Sequence, residues 1–354
     1  MRWDVLTGIL NSTETAAIRV PKEHPPLLLV VIDTEEEFDW RRPHSRENTS
    51  VTAISAQGLA QEIFSRYGII PTYVIDYPVA SNPAAVKALR QFADRDACRI
   101  GTHLHPWVNP PHTEAVTAFN SYPGNLSPAL ERAKLEVLTA TITQAFGTRP
   151  TVYKAGRYGV GPATSQILED LAYKIDVSVV PYTSFASDGG PDFSALGFEP
   201  WWFGSKGDLL EIPLSCGFHG WLRSVGPTLY PRASSDAGMR MRLPGILARS
   251  GLLERIRLTP EGVDLAANLR LAHSLYRQGC RIFSFSYHSP SLVPGFTPYV
   301  TSESDLSRFL NTIDHFFAFF MEELGGRPSE PSEIYHLLSG RQKSSLPRAE
   351  YQPA

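Results

Sequence analysis

Leu27-Leu28-Leu29-Val30-Val31-Ile32-Asp33-Thr34-Glu35-Glu36-Glu37-Phe38-Asp39-Trp40 is the stretch that decides the architecture. It opens after Pro25-Pro26 with six apolar residues in a row. An unbroken apolar run bounded by proline and by charge fits a strand buried on both faces, as in parallel sheets. Five carboxylates then fall within the seven residues 33–39. Charge runs are usually solvated loops. This one starts directly at the end of a buried strand, where like charges must be solvated, protonated or gathered on a cation. Side chains alternate along an extended chain, so Asp33 and Glu35 share a side.

Outward from this strand the pattern alternates. Helical spacing is expected over 53–67, a strand at 71–75, a helix opened by Asn82-Pro83 to 93, and a strand at 98–103. A Pro- and Asn-rich loop leads to a helix at 127–146, a strand at 151–154, a helix at 161–173 and a strand at 175–180. This β-α alternation predicts an α/β fold with a parallel sheet. Residues 184–250 read as loops and short helices with one further strand near 209–213. A helix at 264–276, a strand at 281–287 and a helix at 306–324 complete the packed part. The organisation expected is a lead-in over 1–26, a single domain over 27–325 and a polar, loose tail over 326–354.

The 354 residues are 42% hydrophobic and 19% charged, enough to build a large core. A net charge of −3 without a Lys/Arg-rich run argues against nucleic acid as a partner. Cys98, Cys216 and Cys280 form no CxxC and read as buried thiols. The apolar piece 5–10 is too short for a signal peptide, and no stretch has the length of a membrane helix. A cytoplasmic protein without an integral membrane segment is therefore expected.

In parallel α/β folds ligands bind at the carboxyl ends of the strands. Gly101-Thr102-His103-Leu104-His105-Pro106-Trp107 ends the third strand, and extended geometry turns His103 and His105 the same way. Two imidazoles with one carboxylate are a common ligand set for catalytic zinc. Trp107 is either a packing residue or a sugar platform. Lys154-Ala155-Gly156-Arg157-Tyr158-Gly159 follows the fourth strand, where Arg157 could orient a carboxylate. His288, after the strand at 281–287, could serve as a general acid. A lone histidine is more often structural, and His112 and His219 are read that way, with His219 worth following.

Taken in order, these clusters resemble the polysaccharide deacetylases, the NodB-homology or carbohydrate esterase family 4 group, and look closest to the WalW-like branch. The resemblance rests on VVIDTEEEFDW at 30–40, GTHLHPW at 101–107, KAGRYG at 154–159, KIDVSVVP at 174–181, GGPDFS at 189–194, LLEIP at 209–213 and YHSPSLVPGFTPYV at 287–300. It implies a distorted (β/α)7-type barrel and a carbohydrate N-deacetylase. The divalent metal would be zinc, with cobalt, nickel or manganese as alternatives. It implies Glu35, His103 and His105 as metal ligands and Asp33 as the base, with Asp33 and Glu35 exchangeable. It also implies Arg157 as the group that aligns the base, Asp176 as the acid of the fourth motif, and His288 as the proton donor. The histidines here stand two apart where the family places them four apart. The family's Arg-x-Pro-Tyr continuation is replaced by Arg157-Tyr158-Gly159. Trp201, Trp202 and Trp221 are candidates for sugar-binding surface or for core.

Two other readings stay open on the same residues. One is a metal-dependent hydrolase of another C–N or ester bond. The other is a carbohydrate-binding protein that keeps the fold without turnover. With a cytoplasmic location, the expected substrate is a glycan precursor.

Overall fold

A computed structural model describes residues 17–345. The apolar piece 5–10 and the last residues of the tail, 346–354, lie outside them. The main sheet contains β1 (Leu27–Thr34), β2 (Thr72–Ile75), β3 (Arg99–Leu104), β4 (Val152–Ala155), β5 (Ile175–Asp176), β6 (Trp201–Phe203) and β7 (Leu209–Glu211). A separate ribbon pairs β8 (Cys216–His219) with β9 (Glu254–Arg257), and β10 (Ile282–His288) returns to the main sheet. The strand order is β10-β1-β2-β3-β4-β5-β7-β6, parallel throughout except for β6 against β7. The sheet curls through these eight strands as a half-barrel. Beyond β7 the chain reaches back toward β10, where Ser284 N donates to Ser215 Oγ at 2.9 Å.

The unbroken apolar run of β1 divides between two layers. Leu28, Val30 and Ile32 pack into the large core beneath the helices. Leu27, Leu29 and Val31 join Val74, Val152, Ile175, Val177 and Leu210 in a second cluster that fills the concave side of the sheet. The odd-numbered face of β1 therefore continues from the apolar filling to Asp33 at the carboxyl end of the strand.

The helices are α1 (Gln57–Arg66), α2 (Tyr77–Ser81), α3 (Pro83–Ala93), α4 (Pro128–Phe146), α5 (Thr164–Asp170), α6 (Gly226–Ala233), α7 (Asp236–Arg240), α8 (Leu243–Arg249), α9 (Leu265–Arg277) and α10 (Glu303–Glu322). Six of these ten helices start on a capping side chain. Ser127 accepts from Leu130 N with Pro128 at the first turn, and Ser302 accepts from Asp305 N. Helix α10 buries Leu306, Phe309, Ile313, Phe316, Phe317, Phe319 and Phe320, the long apolar stripe read from the sequence. Among the described residues no helix is long and apolar enough to cross a membrane.

Two expectations change. The stretch 184–250 holds β6, β7 and β8 instead of one strand, since runs of three or four residues are too short to display a period. The tail, expected to be loose, adds β11 (Arg327–Pro328) beside β1 and helix α11 (Pro331–Ser345). Ile334 and Leu338, four apart on that helix, are fully buried in the cluster on the concave side. Each buried aliphatic side chain is worth roughly 1.5–3 kcal/mol, so the pair fixes the helix against the base of the half-barrel.

Candidate metal centre and active site

The strand ends meet at the concave mouth. Parallel pairing sets the Asp33 backbone beside His288. Gly101 lies two residues before His103 on β3, and a Cβ there would stand 2.8 Å from Val74 Cγ1. Gly156 makes room for the second histidine. A Cβ on it would lie 2.3 Å from Leu104 O and 2.6 Å from His105 Cδ2.

Glu35, His103 and His105 turn ligand atoms toward one another, all within 4.8 Å. Glu35 Oε2 lies 3.5 Å from His103 Nε2 and 3.4 Å from His105 Nε2. Both rings are held from behind. His103 Nδ1 bonds the Lys154 carbonyl at 3.0 Å, an acceptor only, so Nδ1 carries the proton and Nε2 keeps its lone pair. His105 Nδ1 bonds Glu36 Oε2 at 2.7 Å, and Glu36 also accepts from Trp107 Nε1 at 2.7 Å. Such outer partners fix the tautomer and orientation of a ligating histidine.

The electrostatics fit a cation. Burial, followed by the Glu36 and Asp33 carboxylates, raises Glu35 well above the ordinary carboxylate range. Its Oε1 is buried without a hydrogen-bond partner. Burial lowers both histidines, His105 to about 4, and so favours the neutral imidazoles that bind metal. An acid penalised for its charge beside two neutral imidazoles is the donor set a divalent ion would satisfy.

A second group flanks the first. Asp33 Oδ1 accepts from Lys154 Nζ at 2.5 Å, and Lys154 also donates to Ser286 Oγ at 3.1 Å. Burial opposes the Asp33 charge, but Lys154, His103 and His288 outweigh it and hold the carboxyl near 2. Asp33 Oδ2 lies 3.5 Å from His288 Nε2. The other ring nitrogen, His288 Nδ1, bonds Glu261 Oε2 at 2.7 Å, and His288 N donates to Glu261 Oε1 at 3.0 Å. Ser291 Oγ also donates to Glu261 Oε1, at 2.6 Å, and Trp40 meets the imidazole edge-on at 4.8 Å.

These groups open into a cavity of about 680 Å³. Its walls include Phe38, Trp40, Tyr122, Phe185 and Tyr299, with Arg42, Arg157 and Arg257 among them. Its volume is within the range of small-ligand pockets. Arg257 donates to Tyr158 OH at 2.9 Å.

No family profile and no curated protein matches the sequence. Among solved structures, a protein of Mycobacterium smegmatis assigned as a polysaccharide deacetylase is 13% identical, with a TM-score of 0.54 over 96% of this chain and 100% of its own. A 4-alpha-glucanotransferase from Thermococcus litoralis is 11% identical, with a TM-score of 0.50 over 89% of this chain and 40% of its own. A Bacillus anthracis pseudoenzyme of carbohydrate esterase family 4, in a variant with restored activity, is 10% identical at a TM-score of 0.46, over 92% of this chain and 73% of its own. The likeness is one of fold. It gives a deacetylase-type (β/α) half-barrel, and chemistry must be argued from the site.

Of the expected site residues, Asp33, Glu35, His103, His105 and His288 converge on the mouth. Arg157 lines the pocket but makes no contact with Asp33. Its guanidinium donates to Ser121 Oγ at 2.6 Å and to Asp188 Oδ2 at 2.8 Å, and it lies over the Tyr122 ring. Lys154 takes the contact expected of Arg157. Asp176 is also displaced from its expected place. It lies between Ile175 and Val177, which fill the concave side, so alternation turns it to the opposite face. There it accepts from Ser178 N at 3.1 Å, and its register partner is Glu211. The carboxylate that holds His288 is Glu261, a residue the sequence reading did not single out.

Trp107 is 1% exposed and stacks on His44 and His105, so it packs and offers no free face to a sugar. Trp201, Trp202, Trp221 and His219 lie outside the pocket lining, which includes Trp40 and borders Trp107. The three cysteines are buried and free.

Proposed function

We propose that this protein is a metal-dependent hydrolase that removes the N-acetyl group from an amino sugar in a glycan or glycan precursor. The observation that carries the reading is the Glu35–His103–His105 donor set with Asp33 and His288 facing each other beside it. Membership of the polysaccharide deacetylases, and of their WalW-like branch, belongs to the same proposal and rests on the motifs.

Glu35 Oε2, His103 Nε2 and His105 Nε2 would hold a divalent ion, with zinc fitting the nitrogen-rich set and cobalt, nickel or manganese as alternatives. When bound, such an ion supplies Lewis acidity toward a carbonyl and lowers the pKa of water. The remaining work falls to the chain's own groups. Asp33 Oδ2, the oxygen not taken by Lys154, receives the proton of the attacking water. Lys154 Nζ keeps that carboxylate ionised and aligned. His288 Nε2 delivers a proton to the departing amine, while Glu261 holds Nδ1–H and fixes the ring. The C–N bond breaks, acetate leaves and the free amine remains on the sugar. The aromatic walls bind the apolar faces of a sugar ring and exclude water.

Three free buried cysteines suit a reducing compartment, so we place the substrate in the cytoplasm. The test is acetate release from a panel of N-acetylated amino sugars by zinc-loaded protein, beside Asp33→Asn and His103→Ala. Release from at least one sugar, lost in both variants, is expected. Protein that takes up no zinc, cobalt, nickel or manganese sinks the reading.

A further inference from the structure

The connection between β8 and β9 stands apart from the rest of the chain in its chemistry. Between Trp221 and Leu252 it holds five arginines, at 223, 232, 240, 242 and 249, one aspartate at 236, and no lysine or glutamate. Five positive charges less one negative give +4 for the segment, so the whole-chain charge of −3 leaves −7 elsewhere. All five arginines are exposed. Among the described residues none of them is paired with an acidic side chain.

The exposed apolar groups collect in the same place. Eight large hydrophobic side chains are exposed among the described residues, and six belong to this segment: Trp221, Val225, Met239, Met241, Ile246 and Leu252. Trp221 is 86% exposed. Single exposed hydrophobics are ordinary, but their concentration marks an interaction site.

We infer that the segment 221–252, carrying α6, α7 and α8, is a docking surface for an anionic lipid bilayer. Charge complementarity selects this occupant. A bilayer leaflet bearing anionic headgroups attracts clustered arginines, and Trp and aliphatic side chains insert at the headgroup boundary. The acidic remainder of the chain is repelled by such a surface, which orients the molecule with this segment down.

The segment is also tied to the pocket. The ribbon pairs Cys216 with Arg257 at one end and His219 with Glu254 at the other. Arg257 lines the pocket, and the segment leaves from the His219–Glu254 end. Gly217 seats the ribbon on α9, where a Cβ would stand 2.7 Å from Leu275 Cδ2. Docking would hold that wall of the pocket at the lipid surface. The inference does not depend on the proposed reaction.

The test is flotation of the full-length protein with vesicles of phosphatidylcholine alone or with about one-quarter phosphatidylglycerol. Partitioning at least about tenfold stronger into the anionic vesicles is expected, lost at high salt and accompanied by a blue shift of Trp221 fluorescence. At about fivefold per arginine, Arg240→Gln with Arg242→Gln and Arg249→Gln should weaken it on the order of a hundredfold. Trp221→Ser with Met241→Ser and Ile246→Ser should also release the protein. Both variants change exposed side chains, and unchanged melting temperatures verify their folding. Failure to float at low salt overturns the inference, as does equal partitioning into both vesicle types. Self-association that the apolar variant abolishes, without flotation of the parent, assigns the surface to a second protein copy and overturns it as well.

Discussion

Lys154 Nζ and Asp33 Oδ1 form a fully buried ion pair at 2.5 Å, with the lysine on β4, three strands along the sheet from β1, and the aspartate at the carboxyl end of β1. Asp33 is depressed to about 2 although burial alone would raise it. Lys154→Met removes the counter-charge, so Asp33 stays protonated to higher pH. The acid limb of kcat/KM should move up, and kcat at neutral pH should fall by about 100-fold or more, the range of general-base effects. Lys154→Arg should restore part of the rate, since it restores the charge. A pH–rate profile with an unmoved acid limb in Lys154→Met would remove Asp33 as the base.

Glu261 acts through His288 and touches no reacting atom in the scheme above, so it is a positioning residue. Glu261→Gln replaces an acceptor-only group with an amide that can turn a donor toward His288 Nδ1. The wrong tautomer or ring angle should then become populated. The expected loss is about 10–100-fold in kcat with KM little changed. Equal losses in binding and turnover would instead indicate damage to the pocket.

The candidate metal centre was legible where its residues are neighbours in sequence. Asp33 and Glu35, and His103 and His105, are each two apart on an extended chain, so alternation alone puts each pair on one side. Lys154 carried the same signal. It follows Val152 by two, and Val152 fills the concave side, yet the neighbouring arginine drew the reading because guanidinium–carboxylate pairing is the commoner device. Glu261 had no comparable local pattern. It comes from the turn after β9, and only tertiary packing brings it to His288. Asp176 shows the same rule in reverse, since a shift of one residue along a strand reverses the face. The tail helix was hidden because two buried aliphatics in a polar segment do not make a readable stripe.

Gly156 offers a test that substitutes none of the candidate ligands. A methyl group there meets a backbone carbonyl and the His105 ring, and the carbonyl cannot yield without moving β3. Gly156→Ala should therefore displace His105 and weaken zinc affinity by about 10–100-fold, comparable to losing an outer partner of a ligand. Competition against a chromophoric chelator measures it. Gly58→Ala on α1 should leave affinity unchanged, because no atom lies within 4 Å of the added carbon and the residue has no positive φ.

Glu131 on α4 connects burial to pH-dependent stability away from the metal centre. It is 1% exposed, accepts from Thr164 Oγ1 at 2.5 Å, and has an Oε2 without a partner. Burial, partly offset by the Thr164 hydrogen bond, raises its carboxyl from 4.5 to about 7. For an acid raised on folding, the folded state binds the proton more tightly than the unfolded chain. Stability is then greatest below the unfolded value and falls as pH rises from about 4.5 to 7. The shift corresponds to a loss on the order of 3 kcal/mol across that window. Glu131→Gln abolishes this titration but buries an amide N–H₂ where Oε2 had no partner, at a cost of about 1–3 kcal/mol. The variant should be the less stable protein at pH 5, and the gap should close or reverse by pH 8. Comparing the two proteins at each pH cancels other titrating groups, including Asp176 and Glu211, which burial also raises. Denaturant melts that give a constant difference from pH 5 to 8 would show that Glu131 stays ionised in the folded protein.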